Sequence, residues 1–142
     1  MANTSGRAYA LTTLCPIING QVSRINSLSK PRSESHDKEI RRILQTLPLN
    51  ENSIFANADN TYFARLFILN DVFFQQGNDY KRDQLNSKYL CFNSNFHGKL
   101  EPYLTTLWNN NEDQVREIWQ HCVAFDQVRN DNDFITYIRS CQ

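Results

Sequence analysis

The sequence predicts an α+β protein in which helices cover one face of an antiparallel sheet. Residues 61–71 and 88–96 alternate their side chains as β-strands do, and residues 9–18 are apolar and rich in β-branched residues. The later part of the chain instead repeats apolar residues every three or four positions, which indicates amphipathic helices. No internal repeat of about 20–50 residues is visible, which excludes solenoids and propellers.

Size and charge narrow the class of protein. The 142 residues fit a single domain, and 15 basic side chains balance 15 acidic ones. Nucleic acid and anionic membranes are disfavoured as partners, because both select an excess of Lys and Arg. No apolar run is long enough for a transmembrane helix or a signal peptide, so we expect a cytoplasmic protein. The cysteines lack the spacing of a metal site or a disulfide framework, so we expect reduced thiols and no metal: Cys15, Cys91, Cys122 and Cys141.

The first third of the chain predicts one strand and two helices. We expect residues 1–7 to be flexible and Pro16 to end the strand that follows. Apolar residues next repeat with helical spacing at Val22, Ile25 and Leu28. A polar insertion, residues 29–37, contains a proline and breaks that helix. A second helix then presents one apolar face: Ile40, Ile43, Leu44 and Leu47.

The two later strands differ in their side chains. Residues 61–71 are apolar on both faces, which predicts a central strand with cover on each side. Alternation places Arg65 on the face of Phe63 and Phe67, with Tyr62 on the opposite face. The connection over residues 72–87 is long for a hairpin, and long connections are usually functional or mobile.

The C-terminal half predicts helices that pack as a layer. A helix begins near Leu100, is interrupted at residues 109–111, and is followed by a further helix that carries Cys122 on its apolar stripe. A short helix is expected from Asp131 to Ser140, and residues 123–125 are the one candidate for a last strand. This order matches most of a β-α-β-β-α-β, or ferredoxin-like, unit, whose sheet carries helices on one face and leaves the other to be covered.

Three segments carry a resemblance to known proteins. They read Asn-Ala-Asp-Asn-Thr-Tyr-Phe-Ala-Arg-Leu-Phe-Ile-Leu, Tyr-Leu-Cys-Phe-Asn-Ser-Asn-Phe-His-Gly and Ile-Trp-Gln-His-Cys, over residues 57–69, 89–98 and 118–122. They resemble short, poorly characterised bacterial proteins with Phe-Ala-Arg, Asn-Phe-x-Gly and Ile-Trp-x-His-Cys segments. The element order and length resemble the dimeric α+β-barrel superfamily, which includes chlorite dismutases, dye-decolorising peroxidases and small antibiotic-biosynthesis monooxygenases.

The resemblance covers roughly two thirds of the chain and implies a fold more than an activity. In that superfamily the open sheet face is covered by the same face of a second subunit, which implies a homodimer here. The chain departs from the pattern at the polar insertion, residues 29–37, and at His97, where an acidic residue is expected.

Arg65 is the first candidate for ligand binding, because a guanidinium buried in an apolar strand needs an anion or a polar ligand. Pairing of the two later strands would place it on one face with Tyr89, Asn93 and Asn95, together with Thr13. Such a group could hold a carboxylate or a carbonyl. The alternative is a salt bridge to an Asp or Glu of the same chain or of a dimer partner.

The candidates for catalysis are His121, Cys122 and His97. A histidine can activate a thiol or bind haem, but adjacent helical residues point about 100° apart, so His121 and Cys122 cannot act on each other. The alternative to a catalytic role is a structural one, in which Cys122 is a buried thiol of the core and His121 forms a local hydrogen bond. His97 precedes a helix, where backbone N–H groups bind anions, although turn geometry explains Gly98 equally well. We expect His36, in the polar insertion, to be exposed to solvent.

Three functions remain open. The favoured one is a small homodimeric small-molecule-binding or accessory protein, without cofactor, with a polar pocket around Arg65. The second is a cofactor-free or haem-dependent oxidoreductase or monooxygenase, in which His121 or His97 binds the haem or Arg65 and Asn93 polarise a carbonyl. The third is an interaction module that docks a partner, such as a neighbouring enzyme, through residues 72–87. The chain lacks the motifs of P-loop, Rossmann and serine-hydrolase enzymes.

Overall fold

A computed structural model describes residues 4–24, 32–58, 60–70, 72–76, 79–83 and 85–142 of the chain. Its elements in chain order are β1 (Thr4–Ser5), β2 (Ala8–Pro16), β3 (Gln21–Arg24), β4 (Arg32–Ser35), α1 (His36–Thr46), a 3₁₀ turn (Asn50–Asn52), β5 (Thr61–Leu69), β6 (Val72–Gln76), β7 (Asp79–Asp83), β8 (Tyr89–His97), α2 (Leu100–Trp119), a second 3₁₀ turn (Phe125–Gln127) and α3 (Asp131–Ser140).

The main sheet has four antiparallel strands in the order β1-β2-β8-β5. Strand β8 pairs antiparallel with both β2 and β5, so these two strands run parallel to each other on either side of it. The residues of β2 and β8 that point to one face are buried together with residues of all three helices in a single core. The predicted α+β class, with helices on one face of an open antiparallel sheet, is confirmed.

Strand β5 occupies an edge, which corrects the prediction of a central strand. In the part of the sheet that the structure describes, β5 pairs with β8 alone, and β8 is the strand with a partner on each side. On the second face of β5, Phe63 is 52% exposed, whereas Phe67 and Leu69 are half-buried. An apolar pattern on both faces of a strand indicates that both faces can be buried. It does not indicate whether the strand pairs with one neighbouring strand in the sheet or with two.

Two other connections form hairpins. The predicted helix is wrong over residues 22–24, because β3 pairs with β4 from Gln21 opposite Ser35 to Arg24 opposite Arg32. Ile25 and Leu28, which carried that prediction, lie outside the described residues. The backbone of the long connection also pairs with itself, with β6 antiparallel to β7.

The chain has no strand at residues 123–125, which corrects the candidate for a last strand. Cys122 forms only an isolated bridge with Ile17. Ala124 then takes a left-handed conformation (φ 65°), which turns the chain into the second 3₁₀ turn. The edge beside β2 is instead occupied by β1, so part of the N-terminal segment that we expected to be flexible is paired.

The helices follow the predicted pattern closely. Helix α2 breaks at Asn111 (φ −142°, ψ 32°), as the interruption at residues 109–111 predicts. The buried Asn111 amide donates to the carbonyls of Ile54 (2.9 Å) and Leu107 (3.2 Å) and so supplies hydrogen bonds at the break. Helix α3 spans the predicted residues and begins with the Asn130 side chain accepting a hydrogen bond from the Asp133 N–H.

An ion pair joins the start of α1 to the start of β8. Lys88 Nζ lies 2.8 Å from Asp37 Oδ2, and the Asp37 side chain is largely buried whereas that of Lys88 is half exposed. Burial raises the pKa of Asp37, but hydrogen bonds from Lys88 and Ser35 outweigh it and leave the pKa below its ordinary value. Asp37 therefore stabilises the fold in its ionised form.

This ion pair should make the fold sensitive to acid. A carboxyl with a lowered pKa contributes stability above its unfolded pKa of about 3.9, and that stability is lost as the pH falls through the lower folded value. We expect Lys88→Met to reduce the free energy of unfolding at pH 7 by about 0.5–1 kcal/mol, since solvent screens the half-exposed lysine. The variant should also lose less stability than the wild type between about pH 5 and pH 3. Urea unfolding at these pH values measures both effects. The control is Lys38→Met, which removes an exposed lysine of α1, the helix that carries Asp37. An equal acid loss in wild type and Lys88→Met would contradict the assignment.

Candidate functional site

The face of the sheet opposite the helices is open in the part of the chain that the structure describes. We call it the open face. Strand alternation and register define its members: Ala8, Ala10, Thr12 and Leu14 of β2, Tyr89, Cys91, Asn93, Asn95 and His97 of β8, and Phe63, Arg65, Phe67 and Leu69 of β5. Among these residues Arg65 is the one side chain with a permanent charge.

Arg65 lies opposite Asn93, as the predicted strand pairing requires. Its guanidinium carbon is 5.1 Å from the ring centre of Phe67 and 6.0 Å from that of Phe63. Such cation–π contacts are worth about 0.5–1 kcal/mol at exposed sites and hold the side chain over the sheet. The expectation of a buried guanidinium is wrong for the single chain: Arg65 is exposed, because the described helices all pack on the opposite face of the sheet.

Arg65 has no anionic partner in the described part of the chain. The ion pairs found there join other residues. Its positive charge acts on the neighbouring Cys91, whose thiol pKa is raised by burial and partly lowered by Arg65.

The polar residues predicted to accompany Arg65 are brought together only in part. Asn93 lies between Arg65 and Thr12 and donates a hydrogen bond to the Thr12 hydroxyl (2.8 Å), which forms a polar row across three strands. Asn95 lies one step further along the same face. Tyr89 lies about 13 Å along the strand from Asn93, at the other end of the face.

Thr13 was expected on this face and is instead in the core. It is fully buried and its hydroxyl lies 3.4 Å from the carbonyl of Phe92. The register of β2 with β8 places Thr12, not Thr13, opposite Asn93. A shift of one residue exchanges the faces of a strand, and the sequence alone left that choice open.

A β-bulge brings Tyr62 to the open face. The register shifts between Thr61, which pairs with Phe96, and Phe63, which pairs with Asn95. The extra residue, Tyr62, is 64% exposed and its hydroxyl lies 3.1 Å from Nδ1 of His97. Simple alternation predicts Tyr62 on the covered face, and that prediction is wrong because a bulge redirects the side chain beside it.

Hydrogen bonds on the core side hold this bulge in place. The Thr61 hydroxyl donates to the carbonyl of Ala58 (2.8 Å) and lies 3.3 Å from the Tyr103 hydroxyl. Tyr103 in turn lies 2.7 Å from the hydroxyl of the buried Ser94. Thr61 is therefore fixed toward the core, which leaves its neighbour Tyr62 to point outward.

A hollow lies at the same end of the open face. It is shallow and widely open to solvent, with a volume of about 560 Å³. Strands β1, β2, β5 and β8 contribute its lining: Thr4, Ser5, Ala8, Tyr9, Ala10, Tyr62 and Asn95. The open face therefore carries the polar row around Arg65 near its middle. The hollow and the contact between Tyr62 and His97 lie beyond that row, at the end of the sheet.

The other catalytic candidates lie elsewhere. His121 is buried, and its Nδ1 is 3.0 Å from Nδ1 of His36, which is half-buried and not exposed as expected. Cys122 is buried in the core, and burial raises its pKa to about 12, so it is a neutral thiol at neutral pH. Neither His121 nor Cys122 belongs to the open face, whereas His97 does.

The fold and this face define a class: an α+β protein with a four-stranded antiparallel sheet, helices on one side and, among the strand residues that the structure describes on the open face, one arginine. Comparison with protein-family models, curated proteins and solved structures finds no match for this chain. None of the described helices is both long and apolar enough to cross a lipid bilayer. Within the described residues, no group of three or more His, Cys, Asp and Glu side chains could hold a metal ion.

Proposed function

We propose that this protein binds a small anionic molecule on the open face, with Arg65 as the counter-charge. One observation carries the proposal: the exposed Arg65 guanidinium is positioned over two aromatic rings and has no carboxylate partner in the described chain. A carboxylate is the natural partner of such a group, because a guanidinium offers two parallel N–H donors. Asn93 and Thr12 beside it offer further polar contacts.

The surroundings of Arg65 favour a ligand with an apolar, planar body. Phe63 and Phe67 flank the guanidinium, and the hollow at the end of the face is lined mainly by apolar atoms of small residues and tyrosines. Aromatic side chains bind flat apolar groups by stacking and by burying their surface. The proposed ligand class is therefore an aromatic or similarly flat carboxylate.

The proposal includes a second copy of the chain as the cover of the open face, in a ferredoxin-like, dimeric α+β-barrel arrangement. Exposed apolar and aromatic side chains support it, since Leu14 is 41%, Phe63 52% and Tyr62 64% exposed on one face. Several exposed apolar side chains on one face of a sheet are typical of an interface. Cover by a second copy would also remove water from Arg65 and strengthen its attraction for a carboxylate.

The ligand proposal is tested with a matched pair of probes, 1-naphthoate and its neutral analogue 1-naphthamide. We expect the wild type to bind the carboxylate at least about tenfold more tightly than the amide, which corresponds to about 1.4 kcal/mol. Arg65→Gln should abolish this preference while leaving the affinity for the amide unchanged. Arg41→Gln, which removes an exposed arginine of α1, is the control. Isothermal titration calorimetry gives the affinity of each of the three proteins for both probes. A preference for the carboxylate that persists in Arg65→Gln would refute the role of Arg65.

The cofactor-free oxidoreductase is a second candidate, favoured by the contact between Tyr62 and His97 at the edge of the hollow. A hydroxyl bonded to an imidazole can move a proton to or from a bound molecule. Product analysis of the same mixtures separates the two functions. If the protein only binds naphthoate, the naphthoate is recovered unchanged. If the protein is an oxidoreductase that uses naphthoate as a substrate in the presence of air, an oxidation product appears.

A further inference from the structure

Two of the three histidines of the chain meet away from the open face. His36 begins α1 and His121 follows α2, and their Nδ1 atoms lie 3.0 Å apart. His121 is 5% exposed, whereas His36 is half-buried. One imidazole of the pair therefore lies inside the protein, and the other connects it to the surface.

Contacts with the main sheet hold both histidines in place. The Ile18 N–H donates to the His121 carbonyl (2.9 Å), which fixes the chain after α2 beside the end of β2. The Lys88 ammonium pairs with Asp37 (2.8 Å), the residue after His36, and so fixes the start of α1 beside β8. Strands β2 and β8 are neighbours in the sheet, so the fold sets the separation of the two imidazoles before any ligand arrives.

The contact between the two Nδ1 atoms brings two potential metal ligands together. In a pair of neutral imidazoles that share a hydrogen bond, one Nδ1 donates its proton and the other accepts it with a lone pair. If the donor ring carries its proton on Nε2 instead, both Nδ1 atoms have a lone pair and the pair has lost no proton. Neutral imidazole nitrogen is a common ligand of divalent transition metals.

The distance between the two nitrogen atoms indicates the kind of metal. Metal–imidazole bonds measure about 2.0–2.1 Å, so nitrogen atoms 3.0 Å apart subtend an angle of about 91–97° at a metal ion that binds both. Adjacent ligands of a square-planar or tetragonal ion are about 90° apart, which suits Cu(II) and Ni(II). Tetrahedral zinc would need the two nitrogen atoms about 3.3–3.4 Å apart.

The charges near the pair are compatible with a bound cation. His36 lies at the start of α1, where the helix dipole disfavours positive charge. Asp37 and Glu39 lie in the same first turn, and their buried carboxylates offset that effect. Their partners Lys88 and Arg42 are each about half exposed, so solvent screens these two cations more than it screens the carboxylates.

We propose that His36 and His121 form a binding site for one divalent transition-metal ion of the Ni(II) and Cu(II) type, held through both Nδ1 atoms. Among the residues that the structure describes, no group of three or more His, Cys, Asp and Glu side chains could hold a metal ion, so water completes the coordination. Structural metal sites take four protein ligands, so this two-ligand site holds an exchangeable ion. The site does not depend on the ligand proposed for the open face.

Isothermal titration calorimetry of the full chain, with Ni(II) alone as the probe, tests the site. Ni(II) is chosen because Cu(II) oxidises thiols. We expect one Ni(II) per chain, bound at least about tenfold more tightly by the wild type than by His36→Gln. His97→Gln removes the third histidine and is the matched control, which should keep the wild-type affinity. Equal affinities of the wild type and His36→Gln would show that the pair shares only a proton, and would overturn the proposal.

Two further variants identify the ligands. A chelate needs both histidines, so the double variant His36→Gln/His121→Gln should bind Ni(II) no more than about twofold more weakly than His36→Gln. Losses that multiply would instead mean two independent weak ligands and would refute the chelate. Cys141→Ser removes a half-buried thiol and should leave the affinity unchanged, whereas a loss there would place the ion on sulfur and overturn the proposal. If the buried His121 cannot be replaced without unfolding, His36→Gln and His97→Gln still decide.

Discussion

Phe92→Ala should lower the free energy of unfolding by about 4 kcal/mol, the cost of removing a large aromatic side chain from a packed core. Phe92 is fully buried on the central strand β8. Its ring stacks on Phe55 at 5.8 Å and meets Trp119 edge-to-face at 5.6 Å. Strands on both sides hold β8 in place, so the surrounding residues cannot close the cavity by a simple shift.

Urea denaturation measures this effect as a lower midpoint at an unchanged slope. Leu49→Ala is the control, since Leu49 is 76% exposed and its truncation should cost less than about 0.5 kcal/mol. A loss of less than about 1.5 kcal/mol for Phe92→Ala would mean that the layer between the sheet and α2 is loosely packed, in conflict with the burial of its members.

Leu14→Glu should weaken self-association at least about a hundredfold, or about 2.8 kcal/mol. Leu14 is exposed on the open face opposite Cys91, and a second copy that covers this face would have to bury the introduced carboxylate. Leu49→Glu places the same charge on a residue outside the sheet, so it should leave association unchanged.

Sedimentation equilibrium over a range of concentrations measures the association of both variants and the wild type. A monomeric wild type at high concentration would remove the second copy from the proposed function, and the naphthoate titration would still decide the role of Arg65. A dimer that tolerates Leu14→Glu would place the contact on another surface.

The elements that the sequence predicts well are those whose pattern is long and local. The apolar stripes of α1 and α3 and the break at Asn111 are confirmed, because a helix satisfies its hydrogen bonds within itself and its periodicity is readable. The alternation of β8 likewise separates buried Phe92 from the outward Asn93. Alternation within each strand, together with the expected pairing of the two strands, placed Arg65 and Asn93 on one face.

The wrong predictions concern features that depend on distant residues. The helical spacing of Val22, Ile25 and Leu28 covers only two turns, which is too short a pattern to exclude a strand. Pairing with β4 supplies the backbone hydrogen bonds of β3. The bulge at Tyr62 and the choice of Thr12 over Thr13 depend on register with β8. His36 is not fully exposed because its partner, His121, comes from the other end of the chain.

The sequence by itself determined the α+β class, the helices α1, α2 and α3 and the side-chain alternation within β8, since these follow from local periodicity. Tertiary structure decided that β5 is an edge strand, that Arg65 is exposed and that Thr12 rather than Thr13 lies opposite Asn93. Each of these depends on which strands pair and where helices end against the sheet, and backbone pairing between distant segments leaves no periodic trace in either segment alone.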